Sequence, residues 1–221
     1  MCTIGTAGKA FESPEGEPMK NASMAVRWTE PEEKLDRLYQ LIEDIEVAML
    51  TTRRRDGSLV SRPMATQRRA EGAHLWFVTE EGSPKIEEIV LDPNVNLSYY
   101  KARTKEWVSV SGSARILRDR SKIRELYEPS WKVWFPDQGG AKNGGPDDPR
   151  ILLIGVEARS AHFMKVDKPA PVVLFEYVSA LARRERPKFG TVETVGRDAL
   201  SLGRTRDPQP PRSPGEEPAR P

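Results

Sequence analysis

Cysteine is almost missing from this sequence: Cys2 is the only one among 221 residues. A single thiol excludes an intrachain disulfide framework and fits a reducing compartment, so the expected location is the cytoplasm. Histidine is nearly as scarce. His74 and His162 stand far apart, and no Cys, Asp or Glu cluster has the spacing of a metal site. No Gly-x-Ser-x-Gly, Walker or Rossmann glycine pattern occurs either, and together these absences argue against a side-chain nucleophile or a protein-bound zinc. No apolar run is long enough to cross a bilayer. Charge of one sign is also lacking: 35 Lys and Arg stand against 33 Asp and Glu, and a net +2 gives no general reason to expect nucleic acid or an anionic membrane as partner. The basic clusters Arg53-Arg54-Arg55 and Arg183-Arg184 read as solvated segments.

What is present is a series of short strands with helices between them. Residues 29–44 carry Leu35, Leu38, Leu41 and Ile42 at helical spacing behind a Thr29/Glu32 capping box. Residues 46–53 and 58–67 read as a hairpin around Asp56-Gly57, and 73–79 as a third strand of the same meander. A short helix from Ser83-Pro84-Lys85 to Leu91 follows. Strands at 95–101 and 106–117 come next, the second long enough for Gly112 to mark a bulge. After a helix over 120–127 and an aromatic stretch come a Gly-rich loop at 138–146, expected to be mobile, a sixth strand at 151–166, and a helix over 172–184. Residues 1–28 and 186–221, poor in large apolar side chains, are expected to be a disordered leader and a disordered Pro/Arg-rich tail around one domain at 29–185. The fold class is β-dominated α+β: a six-stranded antiparallel barrel with peripheral helices.

The most informative local segment is Thr79-Glu-Glu-Gly-Ser83-Pro-Lys85, where a strand end runs into a helix start. Free N–H groups and the positive dipole end favour an anion there, and Ser83 and Lys85 could add a hydroxyl and an ammonium. Plain capping by Ser83 beside a solvated Lys85 is the alternative. Alternation in the second strand puts Arg62 and Met64 on one face. Arg62 among apolar neighbours calls for an anionic partner, either a phosphate or a carboxylate. Met64 could line a cavity or simply pack, and Pro63 marks an irregularity in the ladder. Trp107, Trp131 and Trp134 could stack on a ring system or pack in a core or interface.

Taken in order, Ala48-Met-Leu-Thr-Thr, Ser61-Arg62-Pro63-Met64-Ala65, Leu75-Trp76-Phe77-Val78-Thr79, Ser83-Pro-Lys85, Glu106-Trp107-Val-Ser109-Val-Ser111-Gly112 and Trp134-Phe135-Pro136 resemble the general stress protein branch of the pyridoxamine 5'-phosphate oxidase-like FMN-binding split barrels. The resemblance implies a homodimer with two FMN sites at the subunit interface, FAD being a possible substitute. It implies that Arg62, Pro63 and Met64 run beside the flavin, that Phe77, Val78 and Thr79 offer backbone groups to its ring, and that Ser83 and Lys85 hold its phosphate. Trp107, Ser109, Trp131, Lys132 and Trp134 would come from the partner subunit. The implied function is a stress-linked flavin-dependent oxidoreductase; the alternatives are a non-catalytic flavin store or a reductase using a deazaflavin. Two features depart from the family pattern, the Gly-rich insertion at 139–145 and the tail beyond Arg186.

Overall fold

The computed structural model describes residues 31–166 and 190–204, with isolated positions 172, 175, 179 and 183 between them. Helix α1 (Pro31–Ile45) turns Leu35, Leu38, Leu41 and Ile42 inward, as their spacing requires. Thr29 of the expected capping box lies outside the described residues. Strands β1 (Val47–Arg53) and β2 (Leu59–Ala65) pair in register from Val47–Ala65 to Arg53–Leu59 around the Asp56-Gly57 turn, where Gly57 takes φ 85°. Next come β3 (Leu75–Glu80), α2 (Pro84–Leu91), β4 (Asn94–Lys101) and β5 (Glu106–Leu117). Helix α3 (Arg120–Leu126) and a 3-10 turn (Pro129–Val133) lead to β6 (Ile151–Lys165).

All pairings are antiparallel, and the sheet runs β2-β1-β4-β5-β6-β3. The expected meander therefore ends at β2. Strand β3 pairs with β6 at the far end of the sheet, and among the described residues it is bonded to the segment just after β2 by an isolated Thr66–Phe77 bridge and by the Gln67 amide donating to the Trp76 carbonyl at 2.8 Å. The sheet thus curls without closing and leaves a split between β2 and β3. Where β5 crosses β6, Arg159 is an extra residue opposite Ser111/Gly112, and a Cβ on Gly112 would lie 2.4 Å from the Glu157 carbonyl oxygen. The glycine is required there because β6 bulges against it.

The sheet has seven strands, not six. Strand β7 (Thr191–Val195) pairs with the end of β6, and helix α4 (Arg197–Arg204) follows. Both fall in the tail expected to be disordered from residue 186. The correction has a physical basis: Thr191-Val-Glu-Thr-Val195 is a β-branched run between Gly190 and Gly196, long enough to extend an open edge of β6. Val195 and Leu200 enter the main core, and Arg37 of α1 pairs with Glu193 at 2.9 Å. The Ala158 amide donates to His74 Nδ1, leaving Nε2 to donate to the Leu200 carbonyl at 3.1 Å. His74 is thus a buried structural group that fastens α4. The helix expected over 172–184 lies, but for four isolated positions, outside the described residues.

The loop at 138–146, expected to be mobile, is tied down. Asp148 is fully buried and Arg150 nearly so; they pair at 2.6 Å, Asp148 accepts the Gly144 amide at 2.8 Å, and Arg150 donates to the Pro136 carbonyl at 3.0 Å. The Tyr127 hydroxyl donates to the Gly144 carbonyl. Beneath this loop lies a second core of Trp76, Ile123, Leu126, Trp131, Phe135 and Leu153, separate from the main core under α1.

Candidate functional site

The end of β3 and the start of α2 bring three of the candidate residues together. Gly82, at φ 87°, allows the tight turn between them. Ser83 occupies the N-cap position with extended backbone and Pro84 at the first helical position, yet its side chain makes no capping bond. Instead Lys85 Nζ donates to Ser83 Oγ at 2.6 Å and to Thr79 Oγ1 at 3.0 Å. With their oxygens accepting from the ammonium, both hydroxyl protons are directed elsewhere, as is the third N–H of Lys85. The result is a compact donor cluster beside the first turn of α2. Burial pushes the Lys85 ammonium down from its ordinary range, and the charge of Arg62 pushes the same way, opposed by Glu88 and Glu80. A bound anion would favour the charged form and so oppose both effects.

Arg62 has its anion within the chain, and the anion is a carboxylate. Nη1 and Nη2 donate to the two oxygens of Glu88 at 2.7 and 2.8 Å, and Nη1 also donates to Thr52 Oγ1. Thr52 donates to Glu88 at 2.6 Å, and Arg54 stands 3.5 Å from the same carboxylate. Donation from Arg62, then from Thr52, holds Glu88 below the usual carboxylate range despite its burial. The sequence called for an anion beside Arg62; Glu88, 26 residues away, carried no signal that it was the one. Arg53 likewise engages α2's end at Asp92, so two members of the Arg53-Arg54-Arg55 cluster are drawn toward that helix.

Met64 is half-buried against the main core, which favours the packing role. Pro63 is exposed on the opposite face of β2, opposite Met49 in the ladder. Phe77 is fully buried, Val78 half-buried and Thr79 buried. Beyond the Thr66–Phe77 bridge, the edge of β3 facing β2 has no strand partner among the described residues, so Val78 and Thr79 border the split.

The remaining candidates do not join this cluster. Trp107 and Ser109 lie on the outward face of β5, opposite the buried Val108 and Val110, where Ser109 Oγ accepts from Asn96 at 3.0 Å. Trp131 belongs to the second core; its indole N–H donates to Gln67 Oε1 at 2.8 Å and its ring meets Tyr127 edge-on. It is a core residue, whereas Trp134, the residue that caps the 3-10 turn, is 76% exposed. Lys132 is exposed beside the pinned loop, its Cγ close to Gly144.

The family profile described as pyridoxamine 5'-phosphate oxidase like matches residues 33–188, well over half of the chain. The chain belongs to this family. Protein bli-3 of Neurospora crassa is 37% identical over 135 residues, a match that spans 60% of this chain and 65% of that protein, less than two thirds of the relative's length. Among solved structures, a general stress protein 26 from Jannaschia sp. CCS1 superposes with a TM-score of 0.59 at 21% identity, covering 74% of this chain and 98% of that one. The general stress FMN/FAD binding protein of Xanthomonas citri superposes at 0.50 with 23% identity, covering 63% and 90%. These likenesses establish the split-barrel fold of the pyridoxamine 5'-phosphate oxidase-like proteins for this chain.

Proposed function

We propose that this pyridoxamine 5'-phosphate oxidase-like protein is a cytoplasmic homodimer that binds FMN at the subunit interface, beside the split between β2 and β3, and uses it as an oxidoreductase. The observation that carries the proposal is the Lys85–Ser83–Thr79 cluster at the first turn of α2. Its chemistry fits a phosphate: one ammonium, two hydroxyls with free protons and a helix start, with no carboxylate among the direct partners of Lys85 Nζ. The edge of β3 at Val78 and Thr79, without a strand partner among the described residues, fits a flat ring that needs backbone hydrogen-bonding groups. When bound, FMN supplies hydride or electron transfer, so the chain's residues need only bind, orient and shield it. FAD could enter the same cluster through its flavin-side phosphate. Trp107, Ser109, Lys132 and Trp134, all at least partly accessible and away from the cluster, are assigned to the partner's flavin.

The test is Lys85→Ala with two ligands. A charge-assisted hydrogen bond contributes about 1.5–3 kcal/mol, so the substitution should weaken FMN roughly ten- to a hundredfold. Riboflavin, without a phosphate, should be unaffected. Flavin fluorescence quenching measures both, and equal losses for the two ligands would refute the phosphate assignment. Anaerobic mixing of the loaded protein with NADPH or NADH separates turnover from storage, because a flavin store should show no reduction of the bound flavin.

A further inference from the structure

The phosphate reading leaves Arg62 and Glu88 without a direct part in holding the ligand, yet their placement ties them to the group that does. Glu88 lies one turn after Lys85 on α2, a spacing that puts the two on one face of the helix. Its carboxylate accepts from Thr52 on β1 and from Arg62 on β2, so a single buried group fastens the helix that carries Ser83 and Lys85 to two strands. The charges facing Lys85 are Arg62 from β2, Glu88 from its own helix and Glu80 from the end of β3. Arg62 disfavours a charged Lys85, while Glu88 and Glu80 favour it.

We propose that Arg62 and Glu88 form the positioning pair of the phosphate site: bonded to each other and to Thr52, they anchor α2 to β1 and β2, so that the Ser83 hydroxyl and the Lys85 ammonium are held where a phosphate can meet them, with the opposite charges of the pair facing Lys85. The inference rests on Lys85 being the phosphate ligand. In this arrangement Arg62 acts as a pillar under the site, with both terminal nitrogens donating to Glu88. The pair exerts opposite effects on Lys85 through its two halves, and that opposition makes the proposal testable.

The experiment measures FMN and riboflavin dissociation constants by fluorescence quenching between pH 7 and 10 for the full chain, Glu88→Gln, Arg62→Gln and Lys85→Ala. The ratio of the two constants isolates the phosphate contribution, since titration of the flavin ring affects both ligands. In the parent protein, preference for FMN should fall as Lys85 loses its proton. The midpoint of that fall should move to lower pH in Glu88→Gln and to higher pH in Arg62→Gln. General packing damage would move both variants the same way. Unchanged midpoints, or shifts of one sign, overturn the positioning pair while leaving Lys85 as phosphate ligand. Undiminished preference for FMN in Lys85→Ala overturns the phosphate reading and the pair with it. If Glu88→Gln fails to fold, Arg62→Lys, which keeps the repelling charge, is set beside Arg62→Gln: a midpoint raised in Arg62→Gln and not in Arg62→Lys supports the pair, and equal shifts in the two overturn it.

Discussion

Replacing Asp148 by Asn should unfasten the glycine-rich loop, and the cost can be worked from its contacts. Its two oxygens accept from Arg150 Nε, Arg150 Nη2, the Arg150 amide and the Gly144 amide, all at 2.6–3.3 Å. An amide in place of the carboxylate turns one acceptor into a donor facing donors, and leaves the guanidinium of Arg150 without a counter-charge at a site that is almost sealed. Breaking a buried pair by removing one partner costs about 3–5 kcal/mol. The lower end applies here, because Arg150 keeps the Pro136 and Lys142 carbonyls as acceptors. With about 2–4 °C lost per kcal/mol in a chain of this size, the melting temperature should fall by about 6–12 °C. Donation from Arg150 holds the Asp148 carboxyl down from 3.8 to about 2. A pKa depressed by folding means a stabilisation fully present above pH 4 and lost as pH falls through the folded value. The difference between parent and variant should therefore be constant from pH 7 to about 4 and shrink toward pH 2. Circular dichroism melts across that range provide the measurement. A variant that melts within about 2 °C of the parent at pH 7, or a gap that persists unchanged at pH 2, would refute the role assigned to this pair.

A chain ending at residue 189 loses β7 and α4, and with them the burial of Val195 and Leu200 at about 1.5–3 kcal/mol each, whereas one ending at 204 keeps them. Urea denaturation should separate the two truncations clearly, and equal stabilities would show that the C-terminal strand contributes nothing. Gly112→Ala should cost about 1–3 kcal/mol because its Cβ must displace the Glu157 carbonyl at the bulge; an unchanged thermal midpoint would contradict the close approach. Sedimentation velocity with FMN present should show a dimer, and a monomer at all working concentrations would remove the partner's share of the flavin site.

Much of this architecture is legible locally. Asp56-Gly57 announces the first hairpin, and the alternation of Val108, Val110 and Gly112 against Trp107, Ser109 and Ser111 sets the faces of β5. What was not legible depends on partners distant in sequence. Strand β3 looks like the third member of a meander because the connection before it is short, but its ladder is with β6, far along the chain, where Thr79 pairs with Leu152. Strand β7 was hidden by the Arg- and Pro-rich composition around it, although its own five residues are strand-like. The anchoring of the loop at 138–146 is invisible in a glycine count, since Asp148 and Arg150 close on Gly144 only once the second core holds them in place.

The candidate site divides along the same line, and the division bears on assembly. Thr79, Ser83 and Lys85 fall within seven residues, so a strand, a turn and one helical turn suffice to gather them. Arg62 required a partner that strand periodicity could predict in charge but not in identity. For Trp107 and Ser109 the constraint is stronger. Neighbouring residues of a strand point to opposite faces. Val108 and Val110 are buried in the main core, so Trp107 and Ser109 must point out of the sheet and away from its interior. No rotation of their side chains brings them to the inner side where Arg62 and Glu88 support Lys85. If they touch a flavin held by that cluster, the flavin must project from a neighbouring chain onto this outward face. The assignment of these two residues to the site and the assignment of a dimer are therefore one claim, and Trp107→Ala should weaken flavin binding only in protein that sediments as a dimer.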